Sequence, residues 1–87
     1  MPFEIVWSDT AARQLQKLDR PVARRIYDKV GELQHEPFRN VRRLAGEPYY
    51  RLRVGDYRVI LRIREKELQI LVLKVGPRES VYGWPRG

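Results

Sequence analysis

Guanidinium groups dominate the chemistry available to this chain. Arg51, Arg53 and Arg58 flank a tight turn in Tyr50-Arg51-Leu52-Arg53-Val54-Gly55-Asp56-Tyr57-Arg58-Val59. Arg78 and Tyr82 follow a later strand, in Val75-Gly76-Pro77-Arg78-Glu79-Ser80-Val81-Tyr82. Like charges directly opposed on a sheet destabilise it, so a cluster of this kind points to an anionic ligand. Arginine forks match the oxygens of a phosphate and also stack on bases. The competing explanation is a face neutralised by Glu47, Asp56 and Glu79, but three local acids cannot balance four arginines.

The elements that must position these residues are legible in the pattern. From Tyr49 the apolar period is two: Tyr50, Leu52 and Val54 face one way, Tyr49, Arg51 and Arg53 the other. Gly55-Asp56 fits a two-residue hairpin turn of type II′, with glycine first. That turn pairs Val54 with Tyr57, Arg53 with Arg58, Leu52 with Val59 and Arg51 with Ile60. A second hairpin closes around Glu65-Lys66, and the following strand, residues 68–73, is apolar on both faces and hence central. Gly76-Pro77 then bends the chain and brings Arg78 close to Arg53 and Arg58, with Tyr82 a short step beyond. Tyr50 and Tyr57 share the core-facing parity and read as packing residues.

Upstream, Phe3, Ile5 and Trp7 alternate as a short strand. Ser8 or Asp9 offers an N-cap for a helix carrying Ala11, Leu15 and Leu18. Val22, Ile26, Val30 and Leu33 form the apolar stripe of a second helix over residues 21–35, with Pro21 in its first turn. A connection this short makes the pair an antiparallel helical hairpin. Residues 36–48, with Pro37, Gly46 and Pro48, read as a loop, and Arg39, Arg42 and Arg43 within it are candidates for phosphate contact. Tyr49, opposite Arg62, is placed to stack a base. His35, the only histidine, reads as a surface residue at the end of the second helix. The expected fold is α+β: a small antiparallel-dominated sheet, made of an N-terminal strand and a three-stranded meander, packed against an N-terminal helical hairpin. At 87 residues the chain is read as one domain, 1–87.

Composition narrows the partners. The net charge is +7, and 14 of the 18 basic residues are arginine. Residues 1–35 carry a net +1 and residues 36–87 a net +6, so the excess lies with the hairpin. This favours a phosphate-rich partner. There is no cysteine, which excludes disulfides and thiolate chemistry. No metal-ligand spacing, Ser/His/Asp set or phosphate-binding glycine loop is present. The apolar runs fall short of the roughly 20 residues a spanning helix needs, so a cytoplasmic protein with no membrane partner is expected.

Taken together, Leu44-Ala45-Gly46, the Tyr50–Ile60 hairpin and the Leu73–Tyr82 segment resemble the RelE/ParE superfamily of type II toxins over most of the chain. The resemblance to the RelE branch implies an endoribonuclease that cuts messenger RNA in the ribosomal A site, with neither metal nor cofactor. It also implies an acidic, RelB-like antitoxin, and contacts with the ribosome, its RNA and the message. By position, Arg58 and Arg78 match the arginines that hold the scissile phosphate, and Tyr82 matches the tyrosine that orients the substrate. Arg51 and Arg53 stand where ribosome-dependent members often carry lysines, one of them proposed as the general base.

The implied chemistry is attack of a ribose 2′-hydroxyl on the adjacent phosphate. Charge develops on five-coordinate phosphorus, and fixed guanidinium groups can stabilise it. Proton transfer adds about 10²–10⁴-fold, yet an arginine stays protonated near neutrality and makes a poor base. The base is therefore absent, supplied by the substrate, or another group. Two other readings remain open: a ParE-like toxin that inhibits DNA gyrase without catalysis, and a basic RNA-binding module without toxicity.

Overall fold

The computed structural model describes residues 2–77. Two helices and a 3-10 turn precede most of a five-stranded mixed sheet, as the α+β expectation required. β1 (Glu4–Trp7) leads into α1 (Asp9–Gln16), α2 (Arg20–Gly31) and a 3-10 turn (Glu32–Gln34). β2 (Val41–Arg43), β3 (Tyr50–Val54), β4 (Tyr57–Arg64) and β5 (Gln69–Pro77) complete the sheet, in the order β1-β5-β4-β3-β2. β5 is central in the sense that matters here: β1 pairs with it in parallel and β4 antiparallel.

Local chemistry accounts for the helices. The Ser8 hydroxyl accepts a hydrogen bond from the Ala11 amide (3.0 Å), the N-cap of α1. Asp19 stands at the N-cap of α2 without a side-chain cap, and Pro21 occupies the first turn. Ala11, Ile26, Val30 and Leu33 turn inward and meet Leu52, Val54, Val59, Leu61, Ile70, Val72 and Val75 from one face of the sheet. Tyr50 and Tyr57 pack against the edge of this core, on the expected side. Trp7 also packs there and stacks on Tyr27, with ring centroids 5.9 Å apart. Among the described residues, no helix is long and apolar enough to cross a membrane.

The first hairpin has the expected register at every position: Val54 with Tyr57, Arg53 with Arg58, Leu52 with Val59, Arg51 with Ile60. Gly55 has φ +59° and Asp56 does not share the positive sign, as a turn with glycine first demands. A β-carbon on Gly55 would stand 3.7 Å from the Arg25 guanidinium, an ordinary contact. Gly55→Ala is therefore strained by its backbone rather than by crowding. It is expected to lower stability by about 1–2 kcal/mol, measurable by urea denaturation.

Three sequence expectations are corrected. The 36–48 segment is not loop throughout, because Val41–Arg43 pairs antiparallel with Tyr50–Leu52 as β2. Asn40, at φ +62°, turns the chain into it. The second hairpin spans residues 65–68 between Arg64 and Gln69, with Leu68 at φ +53°, rather than closing on Glu65-Lys66 alone. Finally, Gly76-Pro77 does not break the last strand. Gly76 pairs with Arg58 and Pro77 with Tyr57, and proline is tolerated because β1 pairs with β5 only as far as Val72, which leaves this stretch bonded to β4 alone among the described strands.

β5 also carries a bulge. Ile60 faces Lys74 but Leu61 faces Val72, leaving Leu73 as the extra residue. Two consecutive carbonyls, those of Val72 and Leu73, consequently reach Ser8: its amide donates to Val72 O (2.9 Å) and its hydroxyl to Leu73 O (3.2 Å). The Gln14 side-chain carbonyl accepts from the Val75 amide at 2.7 Å. α1 and its cap thus hold the irregular stretch of β5 in place.

Candidate functional site

The alternation that sends Leu52, Val54, Val59 and Leu61 into the core sends Arg51, Arg53, Arg58 and Ile60 to the opposite face. Arg42 joins them, paired across the sheet with Arg51. Arg62 follows Ile60 at the same parity, and Tyr49 precedes Arg51 by two. The structure thus builds a basic face from β2, β3 and β4. Its rows run Arg42–Arg51–Ile60 and Arg53–Arg58–Gly76.

The arginines differ in setting. Arg53, Arg42 and Arg62 are exposed, and no ion pair among the described residues joins them to a carboxylate. Arg51 and Tyr49 are half-buried. Arg58 is 4% exposed. Its Nη1 donates to the carbonyls of Gly55 and Tyr57, both at 2.9 Å. A buried cation is tolerable only with such partners. The turn that places Arg58 opposite Arg53 therefore also fixes its guanidinium. Gly76, directly across from Arg58 on β5, adds no side chain to this row.

The three arginines read as one loop cluster are separated. Arg42 lies on the basic face; Arg43, next to it on β2, has the opposite parity and its Nε donates to the Glu47 carbonyl at 3.3 Å. Arg39 pairs with Glu36 at 3.0 Å, with both side chains largely exposed. Such a pair contributes about 0–1 kcal/mol and yields readily to a stronger anion. An open groove beside the outer edge of β3 is lined in part by Lys29, His35, Arg39, Arg42, Arg51 and Arg53. Glu32, Glu36 and Asp56 reach it too, so its charge is mixed. Arg78 and Tyr82 lie outside the described residues.

One cation escaped the sequence reading. Lys74 faces Ile60 across β4 and β5, on the side of the arginines. Its parity with Ile70 and Val72 would have sent it into the core, and the bulge reverses that. The sequence carried no signal of it, because Ile70, Val72, Leu71, Leu73 and Val75 are apolar at both parities.

The result is a five-stranded sheet with a helical hairpin on one face and arginines on the other. The family model for the ParE toxin of type II toxin-antitoxin systems, parDE, matches residues 5–82. Toxin RelG of Mycobacterium tuberculosis (strain ATCC 25618 / H37Rv) is 33% identical over 87 residues, covering 94% of this chain and 98% of the relative. A chain of the toxin-antitoxin complex RelBE2 from Mycobacterium tuberculosis superposes with a TM-score of 0.81 at 28% identity, over 90% of this chain and 100% of that one. A chain of the archaeal RelE-RelB complex from Pyrococcus horikoshii OT3 gives 0.79 at 32% identity, over 90% and 97%. The isolated E. coli RelE toxin shares the fold, with a TM-score of 0.77 at 22% identity, over 93% of this chain and 92% of that one. The chain belongs to the RelE/ParE superfamily and is the toxin component of a type II toxin-antitoxin system.

Proposed function

We propose that this toxin is a ribosome-dependent, metal-independent endoribonuclease that cleaves messenger RNA in the A site and so arrests translation in the cytoplasm. The observation that carries this reading is the directly opposed pair Arg53–Arg58, with Arg51 and Arg42 in the adjoining row of the same sheet face. Opposed cations are unfavourable by themselves; a phosphodiester laid across them turns the repulsion into binding. Arg58 and Arg78 hold the scissile phosphate, Arg51 and Arg53 add positive potential, and Tyr82 orients the nucleotide. Tyr49 and Arg62 contact the flanking base and backbone, while Arg39, Arg42 and Arg43 meet phosphates of the message or ribosomal RNA.

The ribosome supplies what so small a domain lacks. Holding the message in a reactive geometry is worth several orders of magnitude in rate, so free RNA is expected to be a poor substrate. The antitoxin is an acidic, RelB-like chain whose carboxylates cover the arginine face. Two of the structural relatives quoted above come from complexes of this kind, which supports such a partner.

Primer extension on a message translated with the purified protein tests the reading. Codon-positioned cuts are expected, weakening steeply as salt rises because several phosphate contacts release counterions. The second reading, a gyrase inhibitor, is favoured by the ParE description of the matching family. It predicts an intact message and gyrase-linked DNA breaks. Retained RNA affinity without growth arrest would instead leave only a binding module.

A further inference from the structure

The site as proposed has cations in abundance and no group to take a proton from the attacking hydroxyl. From the bulge in β5 we infer that Lys74 is the general base, an assignment that rests on the endoribonuclease reading. Three features converge on it. Lys74 faces Ile60, which in turn faces Arg51, so Arg51 and Lys74 flank one buried residue from either side. Neighbouring strands lie about 4.8 Å apart, which puts the two α-carbons roughly 10 Å from each other, a span their long side chains close over a single phosphate. Arg58 pairs with Gly76, two positions along β5 from Lys74, a diagonal relation of about 7–8 Å. Lys74 is therefore a diagonal neighbour of the arginine most firmly fixed in the site.

The bulge is what makes this possible, and it is held from outside the strand. Without Leu73 as the extra residue, Lys74 would share the face of Val72 and enter the core. Ser8 binds the two carbonyls of Val72 and Leu73, and Gln14 binds the amide of Val75. Bulges next to active sites commonly re-aim one side chain, and here the side chain re-aimed is a lysine among arginines. Lysine amines serve as general bases in enzymes, whereas a guanidinium does not.

The step balances as follows. The neutral Lys74 amine takes the proton of the ribose 2′-hydroxyl, and the 2′-oxygen forms a bond to phosphorus. The bond from phosphorus to the 5′-oxygen breaks, and that oxygen is protonated by water. The products are a 2′,3′-cyclic phosphate and a 5′-hydroxyl end, and the Lys74 ammonium returns its proton to solvent.

Single-turnover cleavage of a translated message distinguishes a base from a mere positive charge. Lys74→Ala and Lys74→Arg are both expected to cleave about 10²–10⁴-fold more slowly than wild type, with thermal unfolding and ribosome pelleting close to wild type. Added ethylamine should restore part of the rate to Lys74→Ala and none to Lys74→Arg. Cleavage by Lys74→Arg within tenfold of wild type overturns the assignment, because the charge alone then suffices. A wild-type chain that fails to cut any translated message overturns the endoribonuclease reading itself. Wild-type cutting with an active Lys74→Arg removes only the lysine's role.

Discussion

Arg58→Ala is expected to reduce codon-positioned cleavage by at least about 10²–10³-fold, the usual loss when one fixed donor to a developing oxyanion is removed. Its consequence is twofold. On the proposed endoribonuclease reading the guanidinium meets the phosphate, and in the structure it is the donor to Gly55 O and Tyr57 O at the head of the hairpin. Removing it leaves those carbonyls to find other partners, at about 1–3 kcal/mol. Cleavage must therefore be measured well below the melting temperature of the variant. Arg58→Lys separates the two effects, since an ammonium can still satisfy a carbonyl but lacks the fork. Loss of cleavage in both variants, with Arg58→Lys the more stable, fits a guanidinium-specific role. Wild-type cleavage by folded Arg58→Ala would rule Arg58 out of the site.

The second large effect is on stability alone. Ile26 is fully buried on α2 and packs into the core on the face opposite the arginines. Ile26→Ala keeps a good helix former in place, so its loss is one of packing: about 2–5 kcal/mol for an isoleucine-sized cavity. Domains of this kind are stable by only about 5–15 kcal/mol. The melting temperature is expected to fall by about 8–40 °C, at about 4–8 °C per kcal/mol for a chain of this size. Cleavage per folded molecule should be unchanged at low temperature. A cleavage defect without a melting defect would mean that the two faces of the sheet are coupled in a way the packing does not suggest.

These two residues also illustrate what a sequence can and cannot reveal. Arg58 was placed opposite Arg53 from the glycine turn and a period of two, and the register agrees at each pair. A hairpin is local, so its geometry is written in a dozen residues. The helical stripe containing Ile26 was readable for the same reason. β2 was not, because Val41–Arg43 is three residues long, too short for any period, and is held only by its partner strand. The parallel pairing of β1 with β5 joins residues 65 positions apart, and nothing local records it. Lys74 was missed because the strand was read as ending at Leu73, and the bulge that turns the lysine to the arginine face is visible only in the pairing with β4. The burial of Arg58 was also unforeseen, since two of its partners are backbone carbonyls that no residue type announces.

The pairing of the first strand with the last described one has a bearing on the order in which the sheet closes. β1 finds its partner only at Glu4↔Gln69 through Trp7↔Val72, and the cap of α1 is tied to the same stretch. A nascent chain that has emerged only as far as β4 lacks the strand on which both β1 and β4 are built. Long-range pairing of this sort is slow to form. The β3–β4 hairpin that carries Arg53 and Arg58 can therefore form before the sheet is complete, whereas β1 and the bulge held by Ser8 must wait for β5.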